Sequence, residues 1–331
     1  MQIISDIQHI LRQARQNAYQ SMNQTMVKAY WLVGRRIVEG DQEGEAKATY
    51  GKEVLKKLSS TLQEEFGEGF SVDNLENMRR FYLAFPISET LSRKLQFPDF
   101  QLSWSHYQIL TRIKDKEERA FYEIESIQNQ WGIRELKRQF NSGLYLRLAL
   151  STDKAGIAEL AKQGQILESA SEAIKDPYIL EFLNLREHYR YTESDLENEL
   201  IDKLEYFLLE LGKGFTFVAR QKRITFDERH FYIDLVFYNR LLRCFVVIDL
   251  KIGDLKHQDL GQIQMYVNYY DRFVKLDEES PTIGIVLCQD KSKTLVEITL
   301  PENNQQIFAS RYQTVLPSKE ELRRLLEERS E

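Results

Sequence analysis

Residues 230–251 read HFYIDLVFYNRLLRCFVVIDLK, and the rest of the chain is best understood outward from them. Two apolar runs, 231–238 and 244–248, flank a short polar turn at Asn239-Arg240, which is the pattern of a β-hairpin. Each run carries an acid where a core strand has no use for one: Asp234 in the first and Asp249 at the end of the second. Lys251 follows two residues after Asp249, so on a strand the two side chains share a face. A carboxylate taken out of water is costly unless it is paired with a cation or holds a metal. Two readings follow: a divalent-metal site acting on phosphodiester bonds, or a salt-bridged strand end facing solvent.

The neighbouring segments supply a context. Residues 258–275 have a helical period, with Ile263, Val267, Tyr270 and Val274 on the side that would face a sheet. Gln262 and Tyr266 stand one turn apart on an adjoining stripe and project together. A further strand is expected at 282–288. Upstream, 192–211 reads as a helix with Leu196, Leu200, Leu204, Leu208 and Leu211 inward, and 215–226 alternates loosely as a first strand. The expected order is helix, three strands, helix, strand.

That order, with Asp234, then Asp249-x-Lys251, then Gln262-x-x-x-Tyr266, resembles the PD-(D/E)XK nuclease superfamily and its glutamine–tyrosine variant. The resemblance is closer still to the YhcG-type PD-(D/E)XK family of bacteria. It extends through YWLVGRRIVE (30–39), YGKEVLKKLS (50–59), EFGEGFSVDNLENMRRFY (65–82), LSWSHY (102–107), WGIRELKRQ (131–139) and FLLELGKGF (207–215). Two positions differ from the commoner pattern: Ile233 stands before Asp234 where the motif's name has Pro, and the second acid is Asp249 where relatives more often carry Glu. The resemblance implies a mainly α N-terminal half and an α/β, restriction-endonuclease-like C-terminal domain. It also implies an Mg2+-dependent deoxyribonuclease, with Mn2+ as substitute, and DNA as partner. Asp234 and Asp249 would be metal ligands and Lys251 would orient or activate water. Gln262 and Tyr266 would position the lysine or the phosphate. Related junction-cleaving nucleases often add a glutamate from the preceding helix. Glu197 fits that place best and Glu205 next.

With 331 residues the chain is long enough for two domains. The expected boundaries are a helical domain over 1–150, a small-residue linker over 151–175 and the nuclease domain over 176–331. No apolar run reaches the roughly 18 residues needed to cross a bilayer, and the first residues have no signal-peptide pattern. Cys244 and Cys288 lie in apolar strands without metal-ligand spacing, as expected of small core residues in a reducing cytoplasm. Gly51-Lys52 is followed by Glu53 and lacks the Walker A spacing, so no ATP chemistry is expected. The net charge is −6. It divides into about +2 over residues 1–150 and about −8 beyond, which argues against general coating of DNA more than against local contact.

The first half reads as all-helical: 3–38, then 50–66 with Val54, Leu55, Leu58, Leu62 and Phe66 inward, then 72–85 capped by Ser71. The last two, joined by GEGF, form a candidate helix-turn-helix whose Arg79 and Arg80 would meet DNA, against the alternative of an ordinary helical hairpin with solvated arginines. Helices at 102–114, 116–131 and 133–148 follow. Arg134, Lys137, Arg138 and Arg147 form a candidate phosphate-facing stripe on the last, unless nearby acids pair with them. Trp104 and Trp131 read as core residues. Two other classes stay open: a DNA-binding recombination accessory with a degenerate site, and a non-catalytic protein-interaction module. A homodimer is equally open.

Overall fold

The computed structural model describes residues 2–42, 48–86, 99–151, 154–185 and 191–328. Most of the expected break at 41–47 lies outside these. The chain divides into two compact units, Met1–Lys137 and Arg138–Glu331.

The first unit is helical: α1 (Gln2–Gln42), α2 (Ala48–Phe66), α3 (Val72–Ala84), α4 (Trp104–Leu110), α5 (Lys116–Gln128) and the start of α6 (Ile133–Asn141). The Ser71 hydroxyl caps α3 by accepting from the Asn74 amide, as its position before the helix foretold. Leu75, Met78 and Phe81 form the buried stripe of α3. The Phe81 ring meets Phe100, Trp104 and Tyr107 with centroids 4.8–5.4 Å apart. The core reading of Trp104 therefore holds. Trp31 is buried and donates from Nε1 to the Phe85 carbonyl at 2.9 Å. On α2, Leu58 and Phe66, expected inward, are exposed. The periodic pattern there is wider than the face that the unit covers.

α1 and α3 touch at Gly34, where an added Cβ would collide with the Met78 carbonyl. Backbone cannot move aside as a flexible side chain can. Gly34→Val is therefore expected to lower stability by about 3 kcal/mol, the upper range for overpacking. A urea melt followed by helical circular dichroism reads this, and an unchanged midpoint would mean that the crossing is loose.

The second unit holds the end of α6, then α7 (Leu144–Ser151), α8 (Lys154–Gln163), β1 (Tyr178–Ile179), α9 (Glu193–Asp202), α10 (Leu204–Leu211), β2 (Phe215–Phe226), β3 (Arg229–Asn239), β4 (Cys244–Leu250), α11 (His257–Phe273), β5 (Ile283–Cys288), α12 (Lys293–Thr299), β6 (Ile307–Gln313) and α13 (Lys319–Glu328). One mixed sheet runs β1-β6-β5-β4-β3-β2. β2, β3 and β4 are antiparallel neighbours, and β4, β5, β6 and β1 are parallel. Leu196 and Leu200 of α9 and Phe207 and Leu211 of α10 cover one face, against Leu235, Phe237, Val246 and Ile248. Leu260, Ile263, Val267 and Tyr270 of α11 cover the other, against Val236, Val247 and Val286.

Several expectations need correction. The helix expected over 133–148 breaks at Gly143, whose φ of +66° suits glycine, so Arg147 lies on α7 rather than on α6. The helix over 192–211 breaks at Lys203 (φ −116°), after which Phe207 and Glu210 turn inward while Leu208 is only half-buried. Val274 lies beyond α11 and is exposed. Part of the expected linker, 154–163, is helical, and residues 138–175 belong with the second unit.

The reason is a buried charge cluster. Arg147, with no exposed side-chain surface, pairs with the equally buried Glu210 at 2.5 Å and donates to the Pro177 and Ser142 carbonyls. Arg138 pairs with Glu210 at 3.3 Å and with Glu181 at 3.1 Å, and Lys175 donates to the Glu210 carbonyl. The reading of Arg138 and Arg147 as phosphate contacts is thereby corrected: acids far along the chain engage both. Arg134 and Lys137 are exposed.

Candidate active site

The hairpin sets the site. β3 and β4 pair as far as Leu235 opposite Ile248, so Asp234 and Asp249 are the next residues beyond the last pair of the ladder. Asp249 alternates in step with Val247 and so belongs to the α11 side of the sheet, whereas Asp234 lies where β3 changes phase, between Ile233 on that side and Leu235 on the other. Both acids lie where β4 ends, at the carboxyl edge of the parallel strands, which is where open α/β sheets place their sites.

Asp249 is 1% exposed, and its Oδ2 stands 2.9 Å from Lys251 Nζ. Lys251 also faces Glu193 at 3.6 Å. Asp234 accepts the Leu250 amide on Oδ2 at 2.8 Å and the Gln221 side-chain amide on Oδ1 at 3.0 Å. The same Gln221 nitrogen donates to Glu197 Oε2 at 2.6 Å, and Arg220 Nε approaches Glu197 Oε1 at 3.3 Å. Glu197, 4% exposed, thus reaches the acids through Gln221, whereas Glu205 is exposed and Glu199 pairs with Lys203.

The electrostatics are those of an acidic site short of positive charge. Burial pushes the Asp249 carboxyl up to about 7, with Lys251 opposing and Asp234 adding to the rise. Burial also raises Asp234 and Glu197, against hydrogen bonds that favour their charged forms. Glu197 Oε1 and Asp249 Oδ2 are buried and have no well-aligned hydrogen bond, only the cations already named. Hard oxygen donors left under-satisfied in this way suit Mg2+ or Mn2+. Among the described residues, no three His, Cys, Asp or Glu side chains are grouped to hold one ion as they stand.

Gln262 and Tyr266 are bonded to each other at 2.6 Å, as their spacing foretold. The Tyr266 hydroxyl donates to the Tyr232 carbonyl at 2.8 Å, two residues before Asp234. This pair therefore fixes the strand that carries Asp234, rather than reaching the Lys251 ammonium.

Glu193, Arg220 and Gln221 were not foreseen. The register that brings Gln221 opposite Asp234 comes from a two-residue turn, Asp227-Glu228, with both φ values positive. No Gly or Asn marks that turn in the sequence, so only the spacing between the two strand patterns hinted at it.

A D…DxK hairpin at the open end of a mixed sheet flanked by helices defines a nuclease domain of the PD-(D/E)XK class. Residues 171–327 match the model of the YhcG PDDEXK nuclease domain, and residues 6–147 match the DUF1016 N-terminal domain. Over 346 aligned positions the chain is 38% identical to "Putative nuclease YhcG" of Escherichia coli (strain K12), covering 97% of this chain and 92% of that protein. The chain belongs to this YhcG nuclease family. Solved structures with partial overlap include a repair endonuclease from Pyrococcus abyssi (18% identity, 39% of this chain, TM-score 0.27) and an EndoMS–dsDNA2 complex (15%, 41%, 0.28). Each overlap spans 50% of the other chain. Among the described residues no helix is long and apolar enough to cross a membrane.

Proposed function

We propose that this protein is a DNA endonuclease that hydrolyses phosphodiester bonds with Mg2+, or Mn2+ in its place, and that it acts in the cytoplasm in recombination, repair or defence against foreign DNA. The observation that carries the reading is Asp234 and Asp249 brought together at the end of β4 beside Lys251, with Asp249 buried and its Oδ2 without a well-aligned hydrogen bond, in a nuclease-family domain. Asp234 and Asp249, with Glu197, would hold the ion. When bound, it would supply Lewis-acid charge to the phosphate and a water of lowered pKa.

Lys251 keeps its ammonium beside Asp249 and contributes positive charge where negative charge develops on the phosphate. The Tyr266–Tyr232 bond holds the stretch of β3 that carries Asp234. Gln262 supports the Tyr266 hydroxyl. The free, buried cysteines suit a reducing compartment.

One alternative has its own observation. The 2.9 Å Asp249–Lys251 pair is also what a purely salt-bridged strand end would have. Calorimetric titration with Mg2+, together with cleavage of duplex, nicked, flap, four-way-junction and single-stranded DNA with and without chelator, separates the two. Cleavage that needs the ion supports the nuclease; no ion binding and no cleavage favours the salt bridge.

The helical unit is proposed to hold DNA through Arg79 and Arg80, with Arg134 and Lys137 as further phosphate contacts. Arg79 and Arg80 each lie 3.4 Å from Glu76, with 36% and 56% of their side-chain surfaces exposed. Replacing both by Ala is expected to weaken DNA binding about tenfold and to flatten its salt dependence by roughly two counterions. Fluorescence anisotropy over a salt series measures this, and an unchanged slope would favour a protein partner for that surface.

A further inference from the structure

We propose that Gln221 is a positioning residue that keeps the acidic site closed to a cation: its amide fills the space between Glu197 and Asp234 and withdraws when an ion enters. The inference rests on the metal reading above and adds to it the step by which the site opens.

One nitrogen atom, Gln221 Nε2, donates to a carboxylate oxygen on α9 and to another on β3, at 2.6 and 3.0 Å. An amide NH2 has two hydrogens and carries partial positive charge, so it serves two acids at once. A position between oxygens of two carboxylates is also where a hard divalent ion binds. The amide and the ion therefore compete for one space. With the amide there, the described carboxylates do not form a three-ligand group.

The backbone favours this placement over ordinary strand geometry. Gln221 has φ +43°, in the left-handed region, in the middle of β2 between the paired residues Arg220 and Lys222. A side-chain-bearing residue in that region is uncommon and persists where its surroundings hold it. The strand changes phase here: Ala219 and Ile224, five positions apart, face the same core layer, as do Ile233 and Val236, three apart, on β3. The register across Gln221 and Asp234 is unbroken, from Arg220↔Leu235 to Lys222↔Ile233, so it is the side-chain phase that changes on both strands there, re-aiming the two side chains.

Withdrawal is open to the side chain. Gln221 as a residue is exposed, so its amide can turn to water without unpacking the core. The acids it leaves, by contrast, are anchored: Asp234 by the Leu250 amide and Glu197 by its burial on α9.

The test is Mn2+ binding to the full chain without DNA, by calorimetry, with metal-free melting temperatures alongside. Gln221→Met keeps the length but removes the donor, and is expected to tighten Mn2+ binding several-fold while lowering the metal-free melting temperature. Gln221→Lys sets an ammonium between the acids, and is expected to weaken Mn2+ binding about tenfold or more, on the scale of second-shell substitutions, while keeping or raising that temperature. A merely structural glutamine would not move the two variants in opposite directions. Shifts of the same sign, or no shift in either variant while the wild type binds, overturn the inference alone. A wild type that binds no Mn2+ overturns the metal reading itself.

Discussion

Asp249→Asn is expected to reduce Mg2+-dependent DNA cleavage by a factor of about a thousand or more, the equivalent of several kcal/mol of lost transition-state stabilisation. Asn keeps the size of the side chain and removes the anionic donor. The same change is expected to stabilise the metal-free protein. The Asp249 carboxyl is raised to about 7 in the fold, chiefly by burial, against about 3.9 in an unfolded chain. Between those values the folded state holds a proton that the unfolded state has released, so stability falls as pH rises through the window and the penalty is complete above it. Three units correspond to an upper bound of about 4 kcal/mol, and the loss of a partner for Lys251 offsets part of it. A gain of about 1–2 kcal/mol at pH 8, vanishing toward pH 4, is the expected net effect. DNA affinity should hold or rise, because one negative charge facing phosphate is gone. Lys251→Ala should also stop cleavage yet retain metal binding, since an ammonium is not a ligand. Cleavage assays, calorimetry and melts across pH read these effects separately. An Asp249→Asn variant cutting at the wild-type rate in Mg2+ would remove the catalytic assignment altogether.

The second large effect concerns stability. Arg147→Met is expected to cost the second unit about 3–5 kcal/mol, because it strips a buried carboxylate of its nearest cation. Glu210 has no exposed surface; burial alone would raise its pKa, yet Arg147, Lys175 and Arg138 outweigh that and hold it well below the usual range. The stabilisation is present above the unfolded carboxylate's pKa and is lost as pH falls through the depressed one, so the wild-type unit should weaken only in strong acid. In the variant, Arg138 and Lys175 soften the loss but cannot replace the 2.5 Å contact. Changing Glu210→Leu together with Arg147→Met should cost less than the two single changes added, since the pair is coupled. A related consequence is that a fragment beginning at residue 176 lacks Arg138, Arg147 and Lys175. It should melt well below one beginning near 138. Urea denaturation followed on the second unit's sheet signal decides this, and equal midpoints would mean that the cluster holds nothing together.

What could be read without coordinates was local. The apolar runs 231–238 and 244–248 around the Asn239-Arg240 turn encode a hairpin, which brings Asp234 and Asp249 to the same end of it. Helical spacing gave the buried face of α11 and the Gln262–Tyr266 pair, and Ser71 marked the start of α3. These features depend on backbone periods of two and 3.6 residues, which a short window of sequence contains in full. The tertiary structure decided the rest. Arg138 and Arg147 look like free cations in sequence because their acid, Glu210, is 72 and 63 residues away. Gln221 gains its place only when β2, β3 and α9 meet, and the register that allows this depends on a turn of Asp and Glu in a conformation their side chains do not announce. Side-chain pattern specifies which face of an element is apolar. Which distant charge a polar residue meets depends on how the elements are packed, and no local period records it.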